Sequence, residues 1–292
     1  MTSNLTALVD ADNFYVSCER IFRPELRHRP VVVLSNNDGC VVARSREVKD
    51  MGVKMGTPLY QIRDFVKAKK IVVFSSNYEL YGDISARVMD ILARFSANLE
   101  TYSIDEAFLQ LSPGKNDAVC EQIIQTCQDW VSIPVKIGVS HTKTLSKIAT
   151  ELVKQEKPSP RYKVLLDQEE IDTALTRVQL EDVWGVGRKT AEKLKKQGVK
   201  TPLQLKNIPD HHIRKHFNIM LARTVMELRG ITCFELENQP LPQKNLCHSK
   251  SFGQSITKYQ DLREAVVSYA TEAAAKLRRQ KLTAQSVSVF IQ

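Results

Sequence analysis

The feature that most constrains this chain is a short apolar segment near its start that ends abruptly in an acid. Residues 5–9 (LTALV) are followed at once by Asp10, and residues 31–34 (VVVL) form a second apolar run. Such runs, bounded by loop residues, are typical of buried strands. The pattern therefore predicts strands in a core, with polar side chains at the strand ends, where chemistry can take place.

The next part of the chain alternates between helical and strand patterns. The spacing of apolar residues predicts an amphipathic helix over residues 77–95, and residues 99–111 predict two β segments that flank Ile104, Asp105 and Glu106. Further strands are predicted at 135–139 and 162–166, and further helices at 118–131 and 144–155. Together these elements predict an α/β layer that closes soon after residue 166.

The character of the chain changes after about residue 173. Short helical patterns follow, separated by Gly, Pro and Lys residues; they include residues 183–187 (VWGVG) and a predicted helix over 188–197. They indicate a small helical module. Residues 238–244, with two closely spaced prolines, predict a linker. Beyond it the pattern predicts a strand, a long helix over about 260–280 and a strand that breaks off at Gln292, so we expect a chain truncated relative to its full fold.

Composition narrows the functional classes. The chain has 292 residues, of which 42% are hydrophobic and 26% charged, which favours an ordered soluble protein over a disordered one. No apolar run approaches the roughly 20 residues that a membrane helix needs, so we expect no membrane association and a cytoplasmic location. The six scattered cysteines indicate neither a zinc site nor a disulfide framework. The net charge of +9 favours a polyanionic partner such as nucleic acid.

Two acidic clusters are candidates for a metal site. Asp10 and Asp12 follow the first predicted strand, and Asp105 and Glu106 lie between two others. Either cluster alone is ambiguous, because a lone D-x-D is more often a solvated or helix-capping loop. Adjacent residues on a flat strand also face opposite ways, so Asp105 and Glu106 converge only if a turn lies there. Together, three acids at strand ends suit Mg²⁺, which favours carboxylates plus substrate phosphates.

Basic residues that could bind a phosphate occur in two places. Residues 39–49 contain several, and Lys143 and Lys147 share one face of a predicted helix because they are spaced i and i+4. Taken alone, the lysine pair is more simply explained as a solvated helix face.

A series of motifs in fixed order resembles the Y-family DNA polymerases and covers essentially the whole chain. The motifs lie at residues 10–15 (DADNFY), 39–56, 77–81 (NYELY), 102–108 (YSIDEAF), 138–149, 182–187 (DVWGVG), 214–217 (RKHF) and 251–253 (SFG). Residues 35–40 (SNNDGC) and 75–81 (SSNYELY) look specifically like the UmuC type, that of the catalytic subunit of bacterial DNA polymerase V or a mobile-element homologue.

The resemblance implies a role for three of the acidic residues and for one aromatic residue, but no role as a metal ligand for Asp12. By similarity, Asp10, Asp105 and Glu106 hold two Mg²⁺ ions, with the backbone carbonyl of Ala11 as a further ligand. Tyr15 matches the steric gate of the family, an aromatic ring placed where a ribose 2′-hydroxyl would clash. On its own, Tyr15 could also be explained as a core tyrosine, but the motif match favours the steric gate.

Other positions match nucleotide and DNA contacts of the family. Lys147 and Lys49 match residues that contact the incoming triphosphate, and Arg46 stands where many relatives carry a tyrosine.

Gly185 and Gly187 match a helix-hairpin-helix that binds a DNA phosphate through backbone N–H groups, although a plain turn is the alternative. Lys250 and Ser251 lie in a stretch that resembles the first strand of the little finger, which follows the DNA backbone.

The implied fold is a multidomain α+β right hand, with an α/β palm, small fingers, a helical thumb and a partial little finger. We expect the palm at residues 1–13 and 78–172, the fingers at 14–77, the thumb at 173–238, and a linker with part of the little finger at 239–292. The implied activity is error-prone, template-directed DNA synthesis past lesions in the SOS response, by two-metal nucleotidyl transfer.

The resemblance also implies primer-template DNA and dNTP as substrates, and a processed UmuD-like dimer, RecA and a sliding clamp as partners. Two alternatives from other classes stay open. A catalytically silent DNA-binding or regulatory subunit would keep the fold without the reaction, and a metal-dependent nuclease or cyclase would share the carboxylates without a steric gate.

Overall fold

The structure is a computed structural model that describes residues 4–114, 116–156, 160–237, 244–250, 252 and 254–291. The strands are β1 (Leu5–Ala11), β2 (Val31–Leu34), β3 (Val41–Arg44), β4 (Val72–Ser75), β5 (Leu99–Thr101), β6 (Glu106–Leu111), β7 (Val135–Ser140) and β8 (Tyr162–Val164). The helices are α1 (Phe14–Phe22), α2 (Arg46–Asp50), α3 (Leu59–Ala68), α4 (Tyr78–Leu92), α5 (Asn116–Val131), α6 (Lys143–Gln155), α7 (Gln168–Arg177), α8 (Arg188–Lys196), α9 (Pro202–Lys206), α10 (Asp210–His216), α11 (Ile219–Leu228) and α12 (Tyr259–Arg279).

The chain divides into two compact units. One comprises residues 1–24 and 77–239, and the other comprises residues 25–76 and 240–292. Helix α1, which the sequence assigned to the fingers, lies in the same unit as β1. The helices of the expected thumb share this unit and a continuous hydrophobic core with α6. The division into palm, fingers, thumb and little finger stays a prediction.

A five-stranded sheet forms the centre of the first unit. Its order is β5-β6-β1-β7-β8, with β1 antiparallel to both of its neighbours and β8 parallel to β7. Six of the seven residues of β1 are buried, so both faces of this strand are covered by other elements. The predicted strands and helices of the α/β layer are confirmed here, with boundaries shifted by a few residues.

Helix α4 shows how the local sequence sets an element. The side chain of Asn77 accepts a hydrogen bond from the N–H of Leu80 at 3.1 Å and so caps the helix. Ile84, Val88 and Ile91 then recur at helical spacing and are buried, as the amphipathic pattern predicted.

Helix α6 lies unusually close to the sheet, and Gly138 in β7 makes this possible. A Cβ atom at residue 138 would be 2.3 Å from the backbone oxygen of Ser146 and 2.4 Å from the backbone nitrogen of Thr150. Both of those residues are in α6, so only glycine lets the helix approach this strand.

The carboxylate of Glu227 fixes the first turn of α6 from the other side. Glu227 is fully buried and accepts hydrogen bonds at 2.9 Å from both the N–H and the hydroxyl of Thr144. It also accepts bonds at 3.0 Å from the N–H groups of Cys233 and Phe234. A buried charge with this many donors is well satisfied, and the N-terminal end of a helix favours a negative charge.

The second unit contains a three-stranded sheet in the order β3-β2-β4, and its small core includes Val32, Val41 and Val66. Helix α12 confirms the long helix predicted over 260–280, but no residue of it is buried. The strands predicted on either side of it were wrong for the residues described in 244–258 and 281–291, which form none. A strand needs a partner, and Val287 and Phe290 are instead 82% and 86% exposed.

Among the residues that the structure describes, no helix combines the length and hydropathy needed to cross a bilayer. The predicted linker lies outside the described residues, apart from Lys244.

We predict that Gly138→Ala lowers the free energy of unfolding by about 1–3 kcal/mol or more, because the methyl group would push α6 away from β7. Urea denaturation followed by circular dichroism measures the change. Gly82→Ala is the matched control, since residue 82 lies in α4 with nothing within 4 Å of the added atom. That variant should be unchanged or up to about 1 kcal/mol more stable, and equal destabilisation of both variants would contradict the close approach.

Candidate active site

The pairing of β1 with β6 places two of the predicted acids opposite each other. Asp10 and Glu106 are direct partners in the antiparallel register, so their side chains are on the same face of the sheet. Asp10 is only 6% exposed. The prediction that residues far apart in sequence converge here therefore holds for this pair.

A turn before β6 accommodates the third acid, as the sequence required. The hydroxyl of Ser103 donates to the carboxylate of Asp105 at 2.6 Å and accepts from the N–H of Glu106 at 3.0 Å. The backbone oxygen of Asp105 accepts from the N–H of Ala11 at 2.8 Å, which ties the turn to the end of β1.

Two lysines of α6 neutralise the acidic pair. The ammonium of Lys147 lies 2.8 Å from Oε2 of Glu106, and that of Lys154 lies 2.5 Å from Oδ2 of Asp10. Lys147 was a predicted site residue, whereas sequence reasoning missed Lys154. The signal was present, because residues seven apart lie on the same face of a helix two turns from each other.

Burial and these lysines set the charge of the two carboxylates. Burial raises the pKa of Asp10 to about 7, although Lys154 acts in the opposite direction and Glu106 adds to the rise. Burial also acts to raise the pKa of Glu106, but Lys147, Asp10 and Lys154 together outweigh it and the pKa lies below its ordinary value. Burial acts to lower the pKa of Lys154, but Asp10, Glu106 and Glu151 together outweigh it and the pKa is raised. Glu106 is therefore the carboxylate that stays ionised beside Lys147, whereas Asp10 takes up a proton near neutral pH because its charged form is poorly solvated.

Three aromatic rings surround the ammonium of Lys147. It lies 4.5 Å from the ring centre of Tyr102, 5.6 Å from that of Phe108 and 6.0 Å from that of Trp184. The indole N–H of Trp184 donates to the hydroxyl of Tyr102 at 2.9 Å. A cation over an aromatic face gains about 0.5–2 kcal/mol, so this group of rings, which we call the aromatic cage, helps to hold Lys147 beside Glu106.

Lys143 has a different role from Lys147, although both lie near the ring of Phe108. Its ammonium is paired with Glu100 and donates to the backbone oxygen of Glu235 at 2.7 Å. Because its side chain is only 4% exposed, Lys143 acts as a structural tie.

Tyr15 lies at the start of α1 and packs among other tyrosines. Its ring stacks on that of Tyr81 with a centroid distance of 4.3 Å, and it meets Tyr78 edge-on at 5.9 Å. Tyr81 is itself fixed by a hydrogen bond of 2.8 Å to Glu19. Burial, Tyr78 and Asp105 all raise the pKa of Tyr15 above its ordinary value.

Asp12 faces a different partner from Asp10. Its carboxylate lies 3.3 Å from the ammonium of Lys136 on β7. Asp12 is thus paired with a residue of β7, whereas Asp10 is paired with a residue of α6.

The predicted phosphate-binding turn precedes α8. Gly185 has a positive φ of +84°, which glycine adopts without strain. Beside it lies a cavity of about 420 Å³, whose lining includes Lys189, Lys193 and Asn218. The lining of the cavity is therefore polar and positively charged.

The remaining predicted contacts lie in the second unit or outside the described residues. Arg46 and Lys49 are exposed on α2, and Lys250 is exposed as well. Ser251 lies outside the described residues. The roles of these four residues stay predictions.

The donor chemistry at this site suits a hard cation, since two carboxylates face each other and a third is adjacent in the chain. Within the described residues, however, no three His, Cys, Asp or Glu side chains are grouped closely enough to hold a metal ion. Asp10 and Glu106 are each paired with a lysine, and the Asp105 carboxylate is bonded to Ser103. The assignment of all three acids as metal ligands thus stays a prediction.

Solved structures with the same arrangement of elements are DNA polymerases of the Y-family. The chain matches an insertion ternary complex of Dbh DNA polymerase with a TM-score of 0.66 and 22% identity, covering 77% of this chain and 66% of that one. It matches DinB from Sulfolobus solfataricus with a TM-score of 0.67 and 23% identity, covering 80% of this chain and 69% of that one. The predicted polymerase fold is confirmed.

The chain belongs to the impB/mucB/samB family. The model of that family matches residues 9–151, and the model of its C-terminal domain matches residues 243–292. Protein UmuC of Salmonella typhimurium is 44% identical over 98% of this chain and 69% of its own length. Protein ImpB of the same organism is 43% identical with the same coverage, and a DNA polymerase IV of Dehalococcoides mccartyi is 30% identical over 97% of this chain and 72% of its own length. The predicted membership in the UmuC type of Y-family polymerase is confirmed.

We predict that Asp10→Asn stabilises the protein more at pH 8 than at pH 5, by about 2 kcal/mol. The pKa of Asp10 is raised from 3.8 to about 7, so the folded state binds the proton more tightly than the unfolded state. The stability that Asp10 contributes is present below pH 3.8 and is lost as the pH rises to about 7. Urea denaturation of parent and variant in buffer with a chelator measures the difference.

Asp12→Asn is the matched control, because it removes a less buried carboxylate from the same strand end. The same pH dependence in both variants would show that burial of Asp10 is not the cause.

Proposed function

We propose that this chain is a lesion-bypassing, error-prone DNA polymerase that acts in the SOS response. It transfers a deoxynucleoside monophosphate from dNTP to the 3′-hydroxyl of a primer, directed by a template, and releases pyrophosphate. The observation that carries this proposal is the pairing of Asp10 with Glu106 across β1 and β6, next to the lysines of α6, in a chain of this family.

The acids provide the site for two divalent cations, most simply Mg²⁺. Asp10, Asp105 and Glu106 supply carboxylates, and Ala11 supplies its backbone carbonyl. Two bound Mg²⁺ ions would activate the attacking hydroxyl and stabilise the leaving oxygen of an in-line displacement at phosphorus.

The lysines provide positive charge for the triphosphate. Lys147 and Lys154 are held at the carboxylates by ion pairs and lie on the same face of α6. The side chain of Lys154 is 36% exposed, so it can turn towards a phosphate without leaving the helix face. Arg46 and Lys49 are proposed as further nucleotide contacts on the strength of the family resemblance alone.

Tyr15 selects the sugar. Its ring cannot rotate freely, because Tyr81 lies flat against one face and Tyr78 meets it edge-on. A fixed ring near the acids excludes a 2′-hydroxyl by collision, which is specificity through repulsion.

The DNA backbone is held by charge and by backbone N–H groups. Gly185 and Gly187 bind a phosphate at the turn before α8, and Lys250 and Ser251 are proposed as backbone contacts on the strength of the family resemblance alone. The net charge of +9 favours such contacts, which should weaken as salt is added.

The polymerase works in the cytoplasm with protein partners. These are a processed UmuD-like dimer, RecA and a sliding clamp, which would recruit the chain to damaged DNA. The family membership supports this part of the proposal.

We predict that the chain extends a primer on an undamaged and on an abasic template with Mg²⁺ when these partners are present. Asp105→Ala/Glu106→Ala should lower the rate by on the order of 10³-fold or more, because the site loses two carboxylates. The control is Asp83→Ala, which removes an exposed carboxylate from α4. DNA binding by parent and variant without extension by either would instead favour the silent DNA-binding subunit.

We also predict that Tyr15→Ala raises the use of ribonucleotides relative to deoxyribonucleotides by at least about 10-fold. The reason is that the ring that would collide with the 2′-hydroxyl is gone. The ratio of kcat/KM for a matched rNTP and dNTP measures the change. Tyr15→Phe keeps the ring and should keep the discrimination, so a gain in both variants would argue against a steric gate.

A further inference from the structure

Trp184 connects two parts of the first unit that have separate roles in the proposed function. It precedes Gly185 in the turn before α8, and its indole N–H donates to the hydroxyl of Tyr102 at 2.9 Å. The two rings also meet edge-on with a centroid distance of 5.7 Å. The glycine turn is thereby attached to the residue that begins the acidic turn.

Tyr102 is in turn connected to Glu106 in two ways. Its backbone N–H donates to the backbone oxygen of Glu106 at 3.0 Å. Its ring lies 4.5 Å from the ammonium of Lys147, which in turn lies 2.8 Å from Oε2 of Glu106. A shift of the Tyr102 ring would therefore change the position of the lysine that holds Glu106.

Phe234 packs against Trp184 on the side away from Tyr102, and its own position is fixed by hydrogen bonds. Phe234 meets Trp184 with a centroid distance of 5.0 Å, and the N–H of Phe234 is bonded to the buried carboxylate of Glu227. Glu227 is also bonded to Thr144 at the start of α6, the helix that carries Lys147. Trp184 thus lies between Tyr102, which contacts Lys147 of α6, and Phe234, which is linked through Glu227 to Thr144 of α6. Its position is therefore fixed from both sides.

We propose that Trp184 is a positioning residue, which holds Tyr102 and Lys147 so that Glu106 is aligned for nucleotide transfer and couples this alignment to the glycine turn. The inference rests on the proposed function, because it assigns Glu106 to the reaction. Trp184 itself touches neither substrate nor metal in this scheme. Its effect is on the rate of the chemical step and not on affinity for DNA.

A double-mutant cycle tests the coupling. Trp184→Phe keeps an aromatic ring but loses the N–H donor, and Tyr102→Phe keeps the ring but loses the acceptor. Each should lower kcat for single-nucleotide insertion by about 3-fold to 10-fold, with KM for dNTP and Kd for primer-template DNA within about 2-fold of the parent. The double variant should lose no more than either single variant, because both remove the same hydrogen bond.

Trp130→Phe is the matched control, since Trp130 is the other of the two tryptophans and lies on α5 with Arg94 over its ring. It should leave kcat unchanged. The proposal would be overturned if the losses of kcat multiplied in the double variant. It would also be overturned if kcat were unchanged in the single variants, or if only the affinity for DNA fell. Urea denaturation confirms that each variant is folded before its kinetics are compared.

Fluorescence separates failure of this inference from failure of the proposed function. In the Trp130→Phe background, Trp184 is the single tryptophan, so its emission reports on the cage without any turnover. Tyr102→Phe should shift this emission, and addition of duplex DNA should change it as well. If the parent extended no primer, the proposed function would fail, whereas unchanged emission in both tests would overturn the coupling alone.

Discussion

The register between β1 and β6 is the constraint on which the rest of the site depends. Because side chains alternate along a strand, the direct pairing of Asp10 with Glu106 turns both acids to the same face and places them side by side. A slip of one residue would send one acid into the core of the sheet and bring an apolar side chain to the site. The buried apolar residues on both faces of β1 oppose such a slip, so packing energy is what keeps the acids together.

Helix α6 provides the opposite charge and also depends on its placement. Lys147 and Lys154 reach Glu106 and Asp10 because the helix lies close to β7 over Gly138 and is fixed at its first turn by Glu227. The buried acids are costly to ionise without such partners. The sheet therefore supplies the acids and the helix supplies the lysines. Burying either set without the other would be unfavourable.

Much of this could be predicted from sequence where a signal is local. The strand before Asp10, the helix α4 and the turn between β5 and β6 follow from hydrophobic spacing and from the presence of adjacent acids. Contacts between distant segments could not be predicted in this way. The bond between Trp184 and Tyr102 joins residues 82 positions apart, and no local pattern indicates it.

The dependence on contacts between distant segments also explains which predictions were wrong and which contact was missed. The strands expected beside α12 were predicted from local composition, but strand formation depends on a neighbour that composition does not reveal. The pairing of Lys154 with Asp10 was missed because it depends on the approach of α6 to the sheet. The order of motifs indicated the family, yet it did not indicate which side chains contact each other.

Gly138 has a consequence for how this protein can change over generations. Any single-nucleotide substitution that replaces a glycine codon with another amino acid adds a side chain, and at this position even a methyl group would collide with the backbone of α6. No single-nucleotide change therefore yields another amino acid that fits at residue 138. A chain proposed to introduce errors into DNA would thus depend on a codon in its own gene at which every amino-acid replacement is obstructed by the fold.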